Sequence, residues 1–316
     1  MSDSISPDAI AEQMAQSIVY HTEVAAAQTP FLAAQGYTIG APIHGPGALV
    51  MRVFTPTRDG LPPIVAFRGT VFTKIQALLA DLDTGGIGHD QFEKNRALVE
   101  KTLTAAATMG RVTVCGHSLG GALAQRAASA FPSLCGRVVT FHTPGIESKT
   151  VAALRSWNAQ HPARAIASAH YQMRGDVVGQ AGDAFTDGTI HLYKLDGAND
   201  LQLAEFHSTY ILADEASARG ATLPACDNGR HVTLIGDSPS TSKTSTPIEK
   251  LRTLVGSTVE NAVSVGTAVT KAADEVKDGA KKAADEVKDG AKKAANEVKD
   301  GAKTVAAAVG KLSKLF

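Results

Sequence analysis

The apolar positions of this chain follow two rhythms. Short, continuous runs, "PIVAF" (63–67), "RVTVC" (111–115), "RVVTF" (137–141) and "AIASAHY" (165–171), read as buried strands, with "GTIHLYKL" (188–195) as a further strand. Between them lie stretches with helical spacing, chiefly 91–108 and 119–131. Strand and helix in alternation predict an α/β fold, a mostly parallel sheet with helices on both faces. Upstream, Ser6-Pro7 predicts a capped helix with proline at its first position.

The alternation stops near residue 236. "GDSPSTSKTSTP" (236–247) is polar and rich in Ser and Pro, the composition of a linker. Beyond it the chain repeats itself: "KAADEVKDGAK" fills 271–281 and 282–292, and "KAANEVKDGAK" fills 293–303. The only large apolar residues of these units are Val276, Val287 and Val298, too few for a second globular core. The organisation expected is a catalytic-type domain over 1–235, a linker over 236–248 and a repeat tail over 249–316.

Charge and composition narrow the function classes. The chain has 31 basic and 31 acidic residues, so it has no global attraction to nucleic acid, and no nucleic-acid partner is expected. Cys115, Cys135 and Cys226 are too few and too scattered for a disulfide framework or a zinc site. The start, "MSDSISPDAIAEQMAQ", lacks a basic segment followed by an apolar run, and no stretch has the length of a membrane span. A cytoplasmic protein is the default expectation, with export by a signal-less route left open.

The stretch that carries chemistry is "VCGHSLGGALA" (114–124). A strand ends there, a serine stands between glycines, and a small-residue helix follows. A serine hydroxyl becomes a useful nucleophile only beside a base, and a sharp strand-to-helix turn exposes it for attack. Gly116 and Gly120 would let strand and helix approach, and the helix start would offer backbone N–H groups to a developing oxyanion. The plain alternative is a glycine-rich turn opening a helix.

This stretch resembles the nucleophile motif of the class 3 lipases, which are α/β-hydrolases. "VAFRGT" (65–70) is similar to that family's oxyanion strand and loop, "GHDQF" (88–92) to its segment before the long helix, and "TFHTPGI" (140–146) to its strand and turn after the elbow helix. Gln91 departs from the glycine usual there. The resemblance spans roughly residues 10–215 and implies an ester hydrolase in which the nucleophile, acid and base follow in the order Ser, Asp, His.

On that order Ser118 is the nucleophile and Asp176, in "RGDVV" after a strand, is the acid. Asp183 and Asp187 are rivals placed in a polar loop. His207 with Tyr210 matches the family's His-x-x-Tyr-like segment and is the implied base. His191, within a strand, is its competitor, and His117 and His142 are weaker ones. Leu119 and Thr70 are the implied oxyanion donors, through backbone N–H groups and the Thr70 hydroxyl, and Arg68 would brace the loop. No metal or organic cofactor is required.

The substrates expected are glycerolipid or phospholipid esters, with soluble or polysaccharide esters, or a non-enzymatic binding protein on this fold, as alternatives. "FTKIQALLADLDTGGIG" (72–88) is the candidate for a segment bordering the site. In the tail, 11 residues over three turns, about 98° per residue, put Ala272, Val276, Ala280 and Ala273 on one face, edged by Lys277 and Lys281. Such units resemble the 11-residue repeats of late embryogenesis abundant proteins and of alpha-synuclein, which implies contact with a lipid surface. A spacer helix and a docking segment for another protein are the other readings.

Overall fold

The computed structural model describes residues 5–21, 27–70, 87–176, 178–197, 207–218 and 231–242. The repeat tail, the predicted linker beyond residue 242 and most of the 72–88 segment lie outside them.

Helix α1 (Pro7–Glu12) opens as the sequence predicts: the Ser6 side chain accepts from the Ala9 N–H and proline occupies the first position. It runs on through a wider turn (Gln13–Ser17) and a tighter one (Ile18–Tyr20). After α2 (Gln28–Ala34) come β1 (Tyr37–Ile39), β2 (Ile43–Gly45), β3 (Leu49–Pro56) and β4 (Ile64–Phe67). Helix α3 (His89–Ala107), β5 (Val112–His117), α4 (Leu119–Ala130), β6 (Cys135–Phe141), α5 (Ser148–Gln160), β7 (Ala167–Met173) and β8 (Gly188–Leu195) follow. Helix α6 (Ala213–Ala218) and β9 (Val232–Pro239) complete the described elements. The "GHDQF" segment does not precede the long helix: α3 begins at its His89, capped by Gly88 in left-handed backbone (φ 74°). Strand β9 takes in residues 236–239, which the sequence reading gives to the linker, because they pair with β8.

The strands form one sheet in the order β1-β3-β4-β5-β6-β7-β8-β9, with β2 beside β3. Strands β4 to β8 are parallel; β1, β2, β3 and β9 pair antiparallel. The continuous apolar runs are explained by burial on both faces. Along β4, Val65 and Phe67 face a layer containing Leu103 of α3, Leu123 of α4 and Leu154 of α5. Ala66, Cys115, Val139 and Phe141 face the opposite layer, built from Ile10, Met14 and Ile18 with Ile211, Leu212 and Ala216. Phe67, Phe141 and Leu123 are fully buried, and each such side chain contributes on the order of 2 kcal/mol. The architecture is that of an α/β-hydrolase. Among the described residues no helix is long and apolar enough to cross a membrane.

Candidate active site

The C-terminal ends of the parallel strands gather the polar residues. Ser118 sits between β5 and α4 with φ 57° and ψ −132°, a strained conformation for a residue with a Cβ. The two glycines make the turn possible by close approach. A Cβ on Gly116 would stand 2.2 Å from the carbonyl carbon of Gly120, and one on Gly120 would stand 2.1 Å from the Phe67 oxygen of β4. Strand, helix and neighbouring strand meet at distances that only hydrogen atoms allow. Ser118 is 1% exposed, and its Oγ has no hydrogen-bond partner among the described residues.

Asp176 lies three residues past β7, as the sequence reading places it, and is buried. Its Oδ1 accepts from the Val178 N–H at 3.0 Å, and its Oδ2 lies 2.8 Å from His207 Nδ1. A second imidazole reaches the same oxygen: His142 Nδ1 is 3.0 Å away. Burial alone would raise the Asp176 carboxyl. The charges and hydrogen bonds of His207 and His142 outweigh it and hold the group below the usual carboxylate range. The Nε2 of His207 has no hydrogen-bond partner among the described residues. Thus Asp176 and His207 are brought together, while Ser118 Oγ and His207 Nε2 are each buried and without a hydrogen-bond partner among the described residues.

The segment 207–212 has little regular structure, and side chains fix its backbone group by group. His117 Nε2 lies 2.8 Å from the His207 carbonyl oxygen. Gln16 Nε2 donates to the carbonyls of Ser208 (2.9 Å) and Thr209 (3.2 Å), and His142 Nε2 lies 2.9 Å from the latter. The Glu12 carboxylate, 0% exposed, accepts from the N–H groups of Ile211 (2.6 Å) and Leu212 (2.9 Å) at the start of α6. Buried Glu12 and its neighbour Gln16 therefore belong to the site's scaffold. Their signal in the sequence was only that of polar positions on an otherwise apolar helix face.

Thr70 is half-buried just beyond β4. Its loop is tied to the elbow through Tyr20, whose hydroxyl accepts from the Gly69 N–H at 3.1 Å and lies 3.1 Å from His117 Nδ1. Leu119, the other residue read as an oxyanion donor, is the first residue of α4. Burial first, then the neighbouring His207 and His142, holds His117 well below the ordinary histidine value. Neutral, it can accept from Tyr20 and donate to the His207 carbonyl, which fixes its tautomer. Arg68 braces its loop by donating to the Ala48 carbonyl at 3.1 Å.

The rival residues are engaged elsewhere. His191 on β8 lies 2.8 Å from Asp237 of β9 and stacks on Tyr171. Asp187 accepts both arms of Arg155, and Asp183 accepts from the Ser148 N–H. His142, Asp176 and His207 place one ligand atom each within 4.8 Å of one another and could close on a cation. Both Nδ1 atoms already share Asp176 Oδ2, so an ion bound through them would have to take the place of those hydrogen bonds.

A family model for the Tle-like phospholipase domain matches residues 37–225, more than half of the chain. No curated protein matches the sequence. Among solved structures, a variant of the MDLA protein of Penicillium cyclopium is 15% identical, with a TM-score of 0.43, over 61% of this chain and 78% of that one. The Rhizomucor miehei lipase–propeptide complex is 16% identical, with a TM-score of 0.42, over 58% of this chain and 66% of that one. A fungal lipase is 14% identical, with a TM-score of 0.44, over 78% of this chain and 90% of that one.

Proposed function

The chain belongs to the Tle-like phospholipase domain family, and from that membership we propose that it hydrolyses acyl esters of phospholipids or other glycerolipids, with Ser118 as nucleophile, His207 as base and Asp176 as the acid that orients it. The observation that supports this reading is the 2.8 Å contact of His207 Nδ1 with Asp176, with His207 Nε2 and Ser118 Oγ each buried and without a hydrogen-bond partner among the described residues. A buried hydroxyl and a buried imidazole nitrogen left without partners cost stability and are retained where chemistry uses them.

In the proposed reaction His207 carries its proton on Nδ1, toward Asp176, leaving the Nε2 lone pair for the serine. Ser118 Oγ attacks the ester carbonyl carbon as its proton passes to Nε2. The tetrahedral oxyanion takes hydrogen bonds from the backbone N–H groups of Leu119 and Thr70, and from the Thr70 hydroxyl. Collapse expels the alcohol, which leaves with the proton from Nε2. Water then enters by the reverse route and releases the fatty acid. Ser118 supplies the proton that leaves with the alcohol, and the hydrolytic water replaces it through His207.

The test is hydrolysis of phospholipid vesicles, triacylglycerol emulsions and short soluble esters by the wild type and by Ser118→Ala. Serine-dependent release of fatty acid from lipid supports the reading. Serine-dependent activity confined to soluble esters would move the substrate class, and equal activity of Ser118→Ala would overturn the nucleophile.

For the repeat tail we propose contact with a lipid surface, with a protein partner as the competing outcome. Residues 271–303 hold nine lysines and eight acidic residues, so it is their arrangement along an alanine stripe that favours binding, rather than net charge. Circular dichroism of the 249–316 peptide with and without anionic vesicles decides it: a gain of helix is expected, and no gain would leave the spacer or docking role.

A further inference from the structure

Asp176 serves two imidazoles, and one histidine is enough for the reaction proposed above. His142 directly follows β6 with φ 50°, left-handed backbone that is unfavourable for a histidine and persists where its surroundings demand it. Its Nδ1 lies 3.0 Å from Asp176 Oδ2, and Nδ1 of His207 lies 2.8 Å from the same oxygen. One ligand atom from each of the three residues falls within 4.8 Å of the others, and all three side chains are buried.

Two imidazole nitrogens and one carboxylate oxygen are the donor set of zinc and its first-row neighbours. Calcium and magnesium take oxygen ligands. Three protein donors leave a fourth position for water. Ligand bonds of about 2.0–2.2 Å around a tetrahedral ion set the donor atoms about 3.3 Å apart. Each nitrogen therefore needs to draw back from Asp176 Oδ2 by only about half an ångström or less.

The outer partners suit an ion as well. A metal-bound histidine donates its far N–H to a carbonyl, carboxylate or water. His142 Nε2 faces the Thr209 carbonyl at 2.9 Å, and the second oxygen of Asp176 is held by the Val178 N–H at 3.0 Å. The route in is that of the substrate. Ser118 is 1% exposed, so the site has to open to admit an ester, and the same opening admits an ion.

We propose that His142, Asp176 and His207 form a site for a zinc-type ion, and that its binding switches the hydrolase off. The switch rests on the reading of Ser118, His207 and Asp176 given above; the ion site does not. An ion on His207 Nδ1 replaces the contact with Asp176 and confines the ring hydrogen to Nε2. The nitrogen that would receive the serine proton then has no free lone pair, and Ser118 is left without a base. His142 completes the site, because it supplies the third protein donor.

Cobalt(II) reports the site without turnover. Full-length Ser118→Ala protein keeps all three ligands, and one equivalent of Co2+ should give the visible absorption of a four-coordinate ion, displaced by Zn2+. Adding His142→Asn, which suits left-handed backbone, should abolish the band while the native circular dichroism is retained. A measurement that needs no variant of His142 is nitrogen NMR of 15N-histidine-labelled Ser118→Ala protein, in which Zn2+ should shift the Nδ1 signals of His142 and His207 together. In the wild type, Zn2+ should lower hydrolysis by about a hundredfold or more, and EDTA should restore it.

No cobalt band, an equal band in folded His142→Asn protein, or unmoved Nδ1 signals would overturn the site and leave the reading of the hydrolase intact. A band with hydrolysis undiminished by Zn2+ would overturn the switch, and with it His207 as the base, while the ion site stood.

Discussion

The hydroxyl of Tyr20 lies 3.1 Å from Nδ1 of His117. Burial pushes the phenol above its ordinary range, and His117 is held neutral, so Tyr20 donates and His117 accepts. The same hydroxyl accepts from the Gly69 N–H, and His117 reaches the His207 carbonyl. A directed chain of hydrogen bonds thus runs from the Thr70 loop through the elbow to the segment of the proposed base. It passes through a tyrosine that precedes residue 37, where the family match begins.

Tyr20→Phe should therefore lower turnover while preserving the fold. It leaves the Gly69 N–H and one nitrogen of His117 without that partner, a loss of about 1 kcal/mol per bond. We expect kcat to fall by about tenfold, KM to change little, and Tm to drop by a few degrees. An unchanged kcat would limit Tyr20 to packing.

Glu12→Ala removes a buried carboxylate from the backbone N–H groups of Ile211 and Leu212, just before α6. Charged acceptors of this kind contribute about 2 kcal/mol, so a clear loss of stability in urea titration is expected. Because the same groups anchor the stretch after His207, turnover at temperatures where the variant stays folded should fall too. Stability lost with kcat unchanged would mean that the segment around His207 is positioned without Glu12.

Acid should destabilise the protein well before the carboxylates titrate. The folded chain keeps His117 neutral, below the ordinary value of 6.5, whereas the unfolded chain protonates it as pH falls through that value. The unfolded state then binds more protons, so stability decreases as pH drops, by up to about 1.4 kcal/mol per pH unit from this group. Asp176 is depressed and ionised in both states near neutrality, so its contribution is lost only under much stronger acid. Urea midpoints between about pH 7.5 and 5 should fall for the wild type, with a shallower slope in His117→Gln. Equal slopes would contradict the assignment.

His207→Ala should reduce hydrolysis as severely as Ser118→Ala, because groups that act as one unit do not add. His191→Ala should retain most activity, since His191 pairs with Asp237 on the sheet edge. Comparison of kcat/KM for the three variants on one lipid substrate checks this, and the reverse ranking would move the base to His191.

Much of this was legible in the sequence because the physics is local. The capped start of α1, the double-faced strands and the serine between two glycines each follow from residue type and spacing. Asp176 was singled out by its place just after a strand together with the resemblance, and His207 by the resemblance. The second imidazole on Asp176 was not legible: His142 read as a weak competitor for the base, and its contacts with Asp176 and Thr209 depend on three segments far apart in the chain meeting at the sheet ends. Glu12, Gln16 and Tyr20 were hidden for the same reason, because a buried polar side chain shows its purpose only through its partners. The linker boundary was missed because "GDSP" has the composition of a turn, yet it extends a strand paired with β8.

The most direct test of the central claim is covalent. A serine-reactive phosphonate bearing a lipid-like chain, incubated with the full chain and followed by peptide mass spectrometry, should give one adduct, on Ser118. Labelling should be strongly slowed in His207→Ala, which lacks the base. An adduct on another serine, or labelling of Ser118 at an undiminished rate without His207, would contradict the account.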